Sequence, residues 1–169
     1  MRFWLNKWSI LCLVWFFIFG CAQTMQYTPN IATTSYQLPR LPANLVRVKV
    51  NDLRPETSPS DGLKEVLRGQ ITAALSQEPT NVEGKDYTII IDIIENRSFF
   101  TLGNWNASTR LRVKLVDKSG AIIGQWDAVG NAQRSNMWGY ATAKAVGQDS
   151  YNIAVADMMS SLSKVSVRE

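Results

Sequence analysis

The chain has 169 residues, of which 46% are apolar and 19% charged, a composition typical of one folded domain rather than of a disordered chain. It contains no histidine and only two cysteines, Cys12 and Cys21, which excludes Ser-His-Asp and Cys-His catalysis and zinc sites that use histidine. The formal net charge is +4, but Arg2 and Lys7 belong to the N-terminal segment, and the remaining +2 does not indicate nucleic-acid binding.

The first 20 residues have the three parts of a secretory signal peptide. Two positive charges precede an uncharged apolar run over residues 8–20, and small residues stand at Gly20 and Ala22. At about 13 residues the run is shorter than the ~20 that a membrane-spanning helix needs. We therefore expect residues 1–20 to be a signal peptide, with a short signal anchor as the alternative.

The end of this segment, Ile18-Phe19-Gly20-Cys21, resembles the lipobox of bacterial lipoproteins. The resemblance implies that signal peptidase II cuts between Gly20 and Cys21, whose thiol then carries a diacylglycerol and whose amine is acylated. Phe19 is bulkier than the residue usually found at its position of the lipobox, and leucine is more common than isoleucine at the position of Ile18. A buried free cysteine is the alternative. Ala22 follows where aspartate would resemble an inner-membrane retention signal, so we expect the outer membrane of a Gram-negative envelope, facing the periplasm.

Residues 21–43 are polar and contain three prolines without helical or strand periodicity, which predicts a tether behind the lipidated cysteine. Fully extended, it would reach at most about 75 Å. Alternatively it packs along the domain through Tyr27, Tyr36 and Leu38. Because Cys12 leaves with the signal and Cys21 carries the lipid, core packing alone must stabilise the remaining domain, residues 44–169.

The first half of this domain predicts a strand, a helix and a second strand. Apolar side chains alternate with polar ones from Val46, as in a strand with one buried face. Ser58 and Pro59 have the form of a helix start, and the helix would continue to about Gln77. Its predicted apolar stripe contains Leu63, Val66, Leu67, Ile71, Ala74 and Leu75. From Tyr87, an almost wholly apolar stretch predicts a central strand.

The second half predicts two strands joined by a turn at residues 117–120, and then a helix. Leu111, Val113 and Leu115 alternate with basic residues in the first of these strands. The final helix would have Asp149 or Ser150 as its cap and would bury Tyr151, Val155, Met158 and Leu162. The fold class is therefore α+β: a two-layer sandwich of order β-α-β-β-β-α, with a four-stranded, mostly antiparallel sheet and two helices packed on one face.

This layout resembles the YajG-type family of small bacterial outer-membrane lipoproteins. It is also similar to the lipopolysaccharide-assembly lipoprotein LptE and to auxiliary lipoproteins of lipid-transport systems. The resemblance rests on Cys21, on residues 48–54 and on the hairpin sequence LRVKLVDKSGAII, and it covers nearly the whole chain by architecture. It implies an envelope accessory, assembly or scaffold protein without enzymatic activity.

Two aromatic segments are candidate partner-binding sites. The sequence RSFFTLGNW, residues 97–105, is unusually apolar for a connection between strands, and NMWGY follows later in the chain. Exposed apolar groups mark contacts with partners or membranes. The alternatives are that the connection folds back as a lid on the core, or that the strands extend through it. The candidate residues are Phe99, Phe100, Leu102, Trp105, Trp138 and Tyr140.

A basic row formed by Arg110, Arg112 and Lys114 is a second candidate surface. Beside Arg47 and Lys49, if the two strands are neighbours, it could bind an anionic glycolipid such as lipopolysaccharide, or peptidoglycan. The alternative is an ordinary solvated sheet face.

We expect a non-enzymatic accessory or scaffold subunit of an outer-membrane or envelope assembly, with the anionic-ligand binder as the alternative. The densest acidic group, Asp52 with Glu56 and Asp61, is the candidate for a hydrolase site. The interpretation we favour for it is a strand end followed by carboxylates at a helix N-terminus, where the helix dipole stabilises negative charge. We expect no metal and no cofactor. Glycine-rich phosphate loops are absent from the sequence.

Overall fold

The computed structural model describes residues 46–55, 62–75, 87–136 and 141–165. The predicted signal peptide, the lipidation site at Cys21 and the tether lie outside these ranges and stay predictions. The elements are β1 (Val46–Asp52), α1 (Leu63–Leu75), β2 (Tyr87–Thr101), β3 (Asn104–Val116), β4 (Ile122–Ser135) and α2 (Ala143–Lys164). Their order confirms the predicted β-α-β-β-β-α pattern.

The four strands form one sheet in the order β1-β2-β3-β4. β1 pairs with β2 in parallel, as a strand that returns through a helical connection does. β2 with β3 and β3 with β4 are antiparallel. The sheet is therefore mixed but mostly antiparallel, as the sequence predicted.

Both helices pack on one face of the sheet and share a core with it. The predicted stripe of α1 and the predicted apolar positions of α2 are buried there, with Val66 half-buried. Alternate residues of β2 and β3 fill the space beneath them. The Tyr151 hydroxyl of α2 and Oε1 of Gln70 of α1 are 2.5 Å apart in a buried hydrogen bond that joins the two helices. This arrangement confirms the predicted two-layer sandwich.

The helix starts differ from their predictions. Gly62 has a φ of +71°, outside the helical region, so α1 begins at Leu63 rather than at Pro59. Conversely, α2 begins at Ala143, before the predicted caps Asp149 and Ser150. Its cap is Thr142, whose side chain accepts a hydrogen bond from the amide of Ala145. The regular apolar spacing that predicted this helix starts at Tyr151, so its first two turns, which include the buried Val146 and Gly147, were missed.

Residues 97–105, which the sequence could place in a loop between two strands, belong mostly to the strands themselves. β2 continues to Thr101 and β3 begins at Asn104, so only Leu102 and Gly103 connect them. Of the interpretations that the sequence left open, extension of the strands through the aromatic segment is the one observed. A register shift between Ile93 and Glu95 interrupts the β2–β3 ladder below this extension.

Helix α2 packs directly on the backbone of β4 at Gly130. A Cβ atom at this position would lie 1.9 Å from the carbonyl oxygen of Ser150 and 2.6 Å from the amide nitrogen of Ala154. Beside this contact, the hydroxyls of Ser150 and Thr109 of β3 are hydrogen-bonded at 2.8 Å. Gly130 is therefore required for the helix to lie at this distance from the sheet.

We predict that Gly130→Ala will destabilise the protein by about 3 kcal/mol or more, because the backbone of α2 must move to accommodate the methyl group. The matched control is Gly69→Ala in α1, where a Cβ would meet no atom within 4 Å. Alanine favours a helix over glycine, so the control should gain about 1 kcal/mol. Urea unfolding followed by circular dichroism measures both. Equal stabilities of Gly130→Ala and the wild type would contradict the close packing.

Candidate interaction surface

The β2–β3 hairpin ends in a two-residue loop that exposes a leucine. Leu102 and Gly103 have φ angles of +50° and +79°, the backbone of a tight hairpin turn that favours asparagine and glycine. The Leu102 side chain is 94% exposed. Two hydrogen bonds hold the loop: Asn104 Nδ2 donates to the Leu102 carbonyl at 3.3 Å, and the Asn136 amide donates to the Gly103 carbonyl at 2.9 Å. We call residues 99–105 the hairpin tip.

Aromatic side chains lie on both faces of the hairpin tip. Phe99 is 45% exposed and Phe100 52% exposed. Phe100 contacts the half-buried Trp105 across the strand pair, edge to face, with ring centroids 5.3 Å apart. On the other face, the guanidinium of Arg97 lies 5.5 Å from the ring centroid of Phe99. Three of the four predicted partner-binding residues of this segment are thus exposed and the fourth is half-buried.

The hairpin tip extends beyond the helical layer. Ser98 donates from its hydroxyl to the carbonyl of Ala143, the first residue of α2, at 3.1 Å. One step closer to the core, Asn96 Nδ2 donates to Thr109 Oγ1, which is also bonded to Ser150 of α2. Since α2 begins beside Ser98, the residues of the hairpin beyond it lie past the helix N-terminus. The base of the hairpin is thus bonded to α2, and its tip is left uncovered by α2.

The second predicted aromatic pair, Trp138 and Tyr140, lies outside the described residues. The described residues on either side of it meet at the hairpin. Asn136 binds Gly103 through its amide, and Asn136 Oδ1 accepts a hydrogen bond from the Ala141 amide at 3.0 Å. The chain therefore leaves and re-enters the described fold at the end of the sheet where the hairpin tip lies.

The predicted basic row lies on the sheet face opposite the helices. Arg110, Arg112 and Lys114 alternate along β3 with buried residues, as the sequence indicated. β1 and β3 are not neighbours, because β2 lies between them. Lys49 of β1 shares a register row with Lys114, but Ile90 separates the two.

Each cation of this row contacts a carboxylate. Arg110 and Arg112 both bind Asp127 of β4, at N–O distances of 2.5 and 3.1 Å. Lys114 binds Asp92 of β2 at 3.2 Å. An anionic ligand would have to compete with these pairs, and the anionic-ligand face stays a prediction.

The pKa of both carboxylates lies below its ordinary value, although burial opposes the shift in each. Hydrogen bonds from Arg110 lower the pKa of Asp127, with a smaller contribution from Arg112, and burial opposes them. Only 7% of the Asp92 side chain is exposed. Burial by itself would raise the pKa of Asp92, but hydrogen bonds from Asn51 and Lys114 outweigh it, so the pKa lies below its ordinary value.

Neither carboxylate was predicted as part of this surface. Asp92 interrupts the apolar run of β2, and Asp127 alternates with inward-facing residues of β4. These positions identify both as outward-facing once the strand register is known. The register places Asn51, Asp92, Arg112 and Asp127 in one row across the four strands. The sequence does not predict this row, because the row depends on which strands are adjacent and in what register they pair.

The acidic candidate for a hydrolase site is only partly described. Asp52 forms a salt bridge with Arg54 at 2.6 Å, while Glu56 and Asp61 lie outside the described residues. Hydrogen bonding to Arg54 lowers the pKa of Asp52. Within the described ranges, no group of three or more aspartate, glutamate, cysteine or histidine side chains could hold a metal ion. Neither α1 nor α2, the two described helices, is both long and apolar enough to cross a membrane.

We predict that Asp92→Asn will lower the free energy of unfolding by about 1–2 kcal/mol at pH 7, because it removes the charged partner of Lys114. The lowered pKa of Asp92 in the folded state means that the carboxylate stabilises the protein above about pH 4. This stabilisation is lost as the pH falls through that lowered pKa, so the difference between variant and wild type should narrow in acid. Urea unfolding at a series of pH values measures it.

The matched control for this prediction is Glu65→Gln, at an exposed position in the first turn of α1, which should change stability by about 0.5 kcal/mol or less at pH 7. A loss of stability in Asp92→Asn that stays constant with pH would show that packing, not charge, accounts for it.

Comparison with solved structures identifies the fold. Protein XCC0632 from Xanthomonas campestris, of family DUF330, superposes with a TM-score of 0.51 at 14% identity, covering 82% of this chain and 92% of that one. Protein CT253 from Chlamydia trachomatis gives a TM-score of 0.42 at 12% identity over 69% and 96% of the chains. Lipoprotein GNA1162 from Neisseria meningitidis gives 0.33 at 12% over 69% and 97%.

Of these three structures, the Xanthomonas protein has a TM-score above 0.5, and at this identity it shows a shared fold alone. No protein-family model matches the chain, and no curated protein matches it. The chain is therefore similar in fold to the Xanthomonas protein over most of its length.

Proposed function

We propose that this protein is a lipid-anchored lipoprotein of the bacterial envelope, attached through Cys21. In this proposal it is a non-enzymatic accessory subunit that binds another envelope protein through the hairpin tip. The observation that carries the docking role is the exposure of Phe99, Phe100 and Leu102 on a hairpin that extends beyond α2. Apolar side chains grouped at one end of a fold are typical of protein contacts.

The anchor is supported by the sequence of the N-terminal segment. An apolar run too short to span a bilayer ends in Gly20-Cys21, and Ala22 follows without an aspartate. Several acyl chains on one residue hold a folded domain at a membrane far more firmly than a single chain. We place the protein at the outer membrane, facing the periplasm, with a YajG-like accessory role.

A non-enzymatic role is supported by the side chains available. The sequence has no histidine, and the cysteines are assigned to the signal and the lipid. Three of the described carboxylates, Asp52, Asp92 and Asp127, each contact a cation, and the pKa of each lies below its ordinary value. A general acid at neutral pH needs the opposite shift. Docking therefore accounts for more of the described features than hydrolysis does.

We predict that Cys21→Ser will abolish incorporation of radiolabelled palmitate and leave the precursor uncut by signal peptidase II, because the thiol is the acylated atom. The matched control is Cys12→Ser, which changes the other cysteine and should be labelled like the wild type. Metabolic labelling followed by gel electrophoresis measures both. A wild-type protein that takes up no palmitate would refute the anchor.

We predict that a photo-crosslinking residue at Trp105 will capture one specific envelope protein in intact cells, because the hairpin tip forms the contact. The matched control position is Lys118, exposed in the turn between β3 and β4 at the opposite end of the sheet, where the same product should be absent. Mass spectrometry identifies the adduct. Absence of any protein adduct both at Trp105 and at the exposed Phe99, with the protein correctly localised, would refute the docking role.

A further inference from the structure

We infer that Leu102 is the central anchor of the interface, and that it enters an apolar pocket of a partner protein on the side of the domain turned away from the anchoring membrane. This inference rests on the proposed docking role of the hairpin tip and adds to it one residue, an orientation and a class of partner.

Leu102 is placed where a leucine is unfavourable in the free protein. Among the described residues, it is the only non-glycine residue with a positive φ. In this backbone region asparagine is preferred, because its short polar side chain tolerates the left-handed conformation. Leu102 is also 94% exposed, so no packing within the domain offsets its unfavourable backbone. An exposed apolar side chain kept at a strained position points to a contact made with another molecule.

The loop is held in a defined conformation before binding. The carbonyls of Leu102 and Gly103 accept hydrogen bonds from Asn104 Nδ2 and the Asn136 amide. Behind the loop, Phe100 and Trp105 pack edge to face. A partner therefore meets a side chain whose backbone is already ordered, which reduces the entropy lost on binding. Aromatic side chains, which are enriched at protein–protein interfaces, flank Leu102 on both strands of the hairpin.

The hairpin tip lies at the opposite end of the sheet from the point where the chain enters it. Val46, the first residue of β1, pairs with Tyr87 at the start of β2, whereas the hairpin tip lies at the end of that 15-residue strand. At ~3.3 Å per residue the two ends are roughly 45 Å apart. The tether predicted from the sequence, if unstructured, has a root-mean-square length on the order of 30 Å.

With the sheet upright on its tether, that tether would have to run back along the whole domain for the hairpin tip to point at the membrane that holds Cys21. The average length of an unstructured tether is shorter than this path. The favoured orientation directs Leu102 into the periplasm, where an apolar pocket belongs to a protein. Beside the apolar side chains, Asn104 and Asn106 are half-buried on the hairpin tip and on the part of β3 that follows it. They would face the rim of such a pocket, which is polar in typical protein interfaces.

The test places a benzophenone amino acid at Phe99 and compares crosslinking in intact cells between the wild-type tip and Leu102→Asn. Asparagine suits the turn, so the variant should resist urea at least as well as the parent. We nevertheless expect the yield of the protein adduct to fall at least tenfold in this variant. Leu102→Met, which keeps an apolar side chain, should retain the adduct.

The matched control is Ile122→Asn, which removes another exposed apolar side chain, 58% exposed, at the opposite end of the sheet. It should leave the yield unchanged. A Leu102→Asn yield equal to the parent would overturn Leu102 as the anchor while leaving the docking role intact. Absence of a protein adduct at both Phe99 and Trp105 would overturn the docking role itself. A phospholipid adduct at Phe99 would overturn the orientation and show that the hairpin tip contacts a membrane.

Discussion

Helix α2 rests on the backbone of β4 at Gly130, and the neighbouring contacts depend on this close approach. A side chain larger than hydrogen at Gly130 would collide with the helix backbone at Ser150. With the helix at this distance, the Ser150 hydroxyl reaches Thr109 of β3, and the first residue of α2 lies beside Ser98 of β2. The end of the helical layer is thereby set at Ser98, and the hairpin beyond it is left uncovered by α2.

Polar groups form buried hydrogen bonds on one face of the sheet and ion pairs on the other. Under the helices, Thr109, Ser150, Gln70 and Tyr151 form buried hydrogen bonds that join strand to helix and helix to helix. On the opposite face, charged residues of neighbouring strands form ion pairs, as Asp127 does with two arginines. Each cation of the basic row contacts a carboxylate, whereas the hairpin tip exposes apolar groups directly. This contrast is why we place the interface at the hairpin tip.

Much of the fold could be predicted because its periodicities are local. Alternation in β1 and β3 and the apolar stripe of α1 each depend on residues a few positions apart, and the structure confirms them. The aromatic segment could not be resolved in the same way. Apolar residues on consecutive positions of residues 97–105 fit a loop, a lid or a strand, and the choice depends on whether a neighbouring strand is present to pair with them.

The sequence by itself determined the order of the elements, the buried face of most of them, and Cys21 as the expected lipid attachment point. Each follows from spacing or from a short motif. Tertiary structure decided the partners: Asp127 beside the arginines, α2 against Gly130, and Leu102 at the exposed end of the hairpin. These depend on the pairing register and on how closely the layers approach. Both arise from contacts between residues distant in the chain, which no local pattern records.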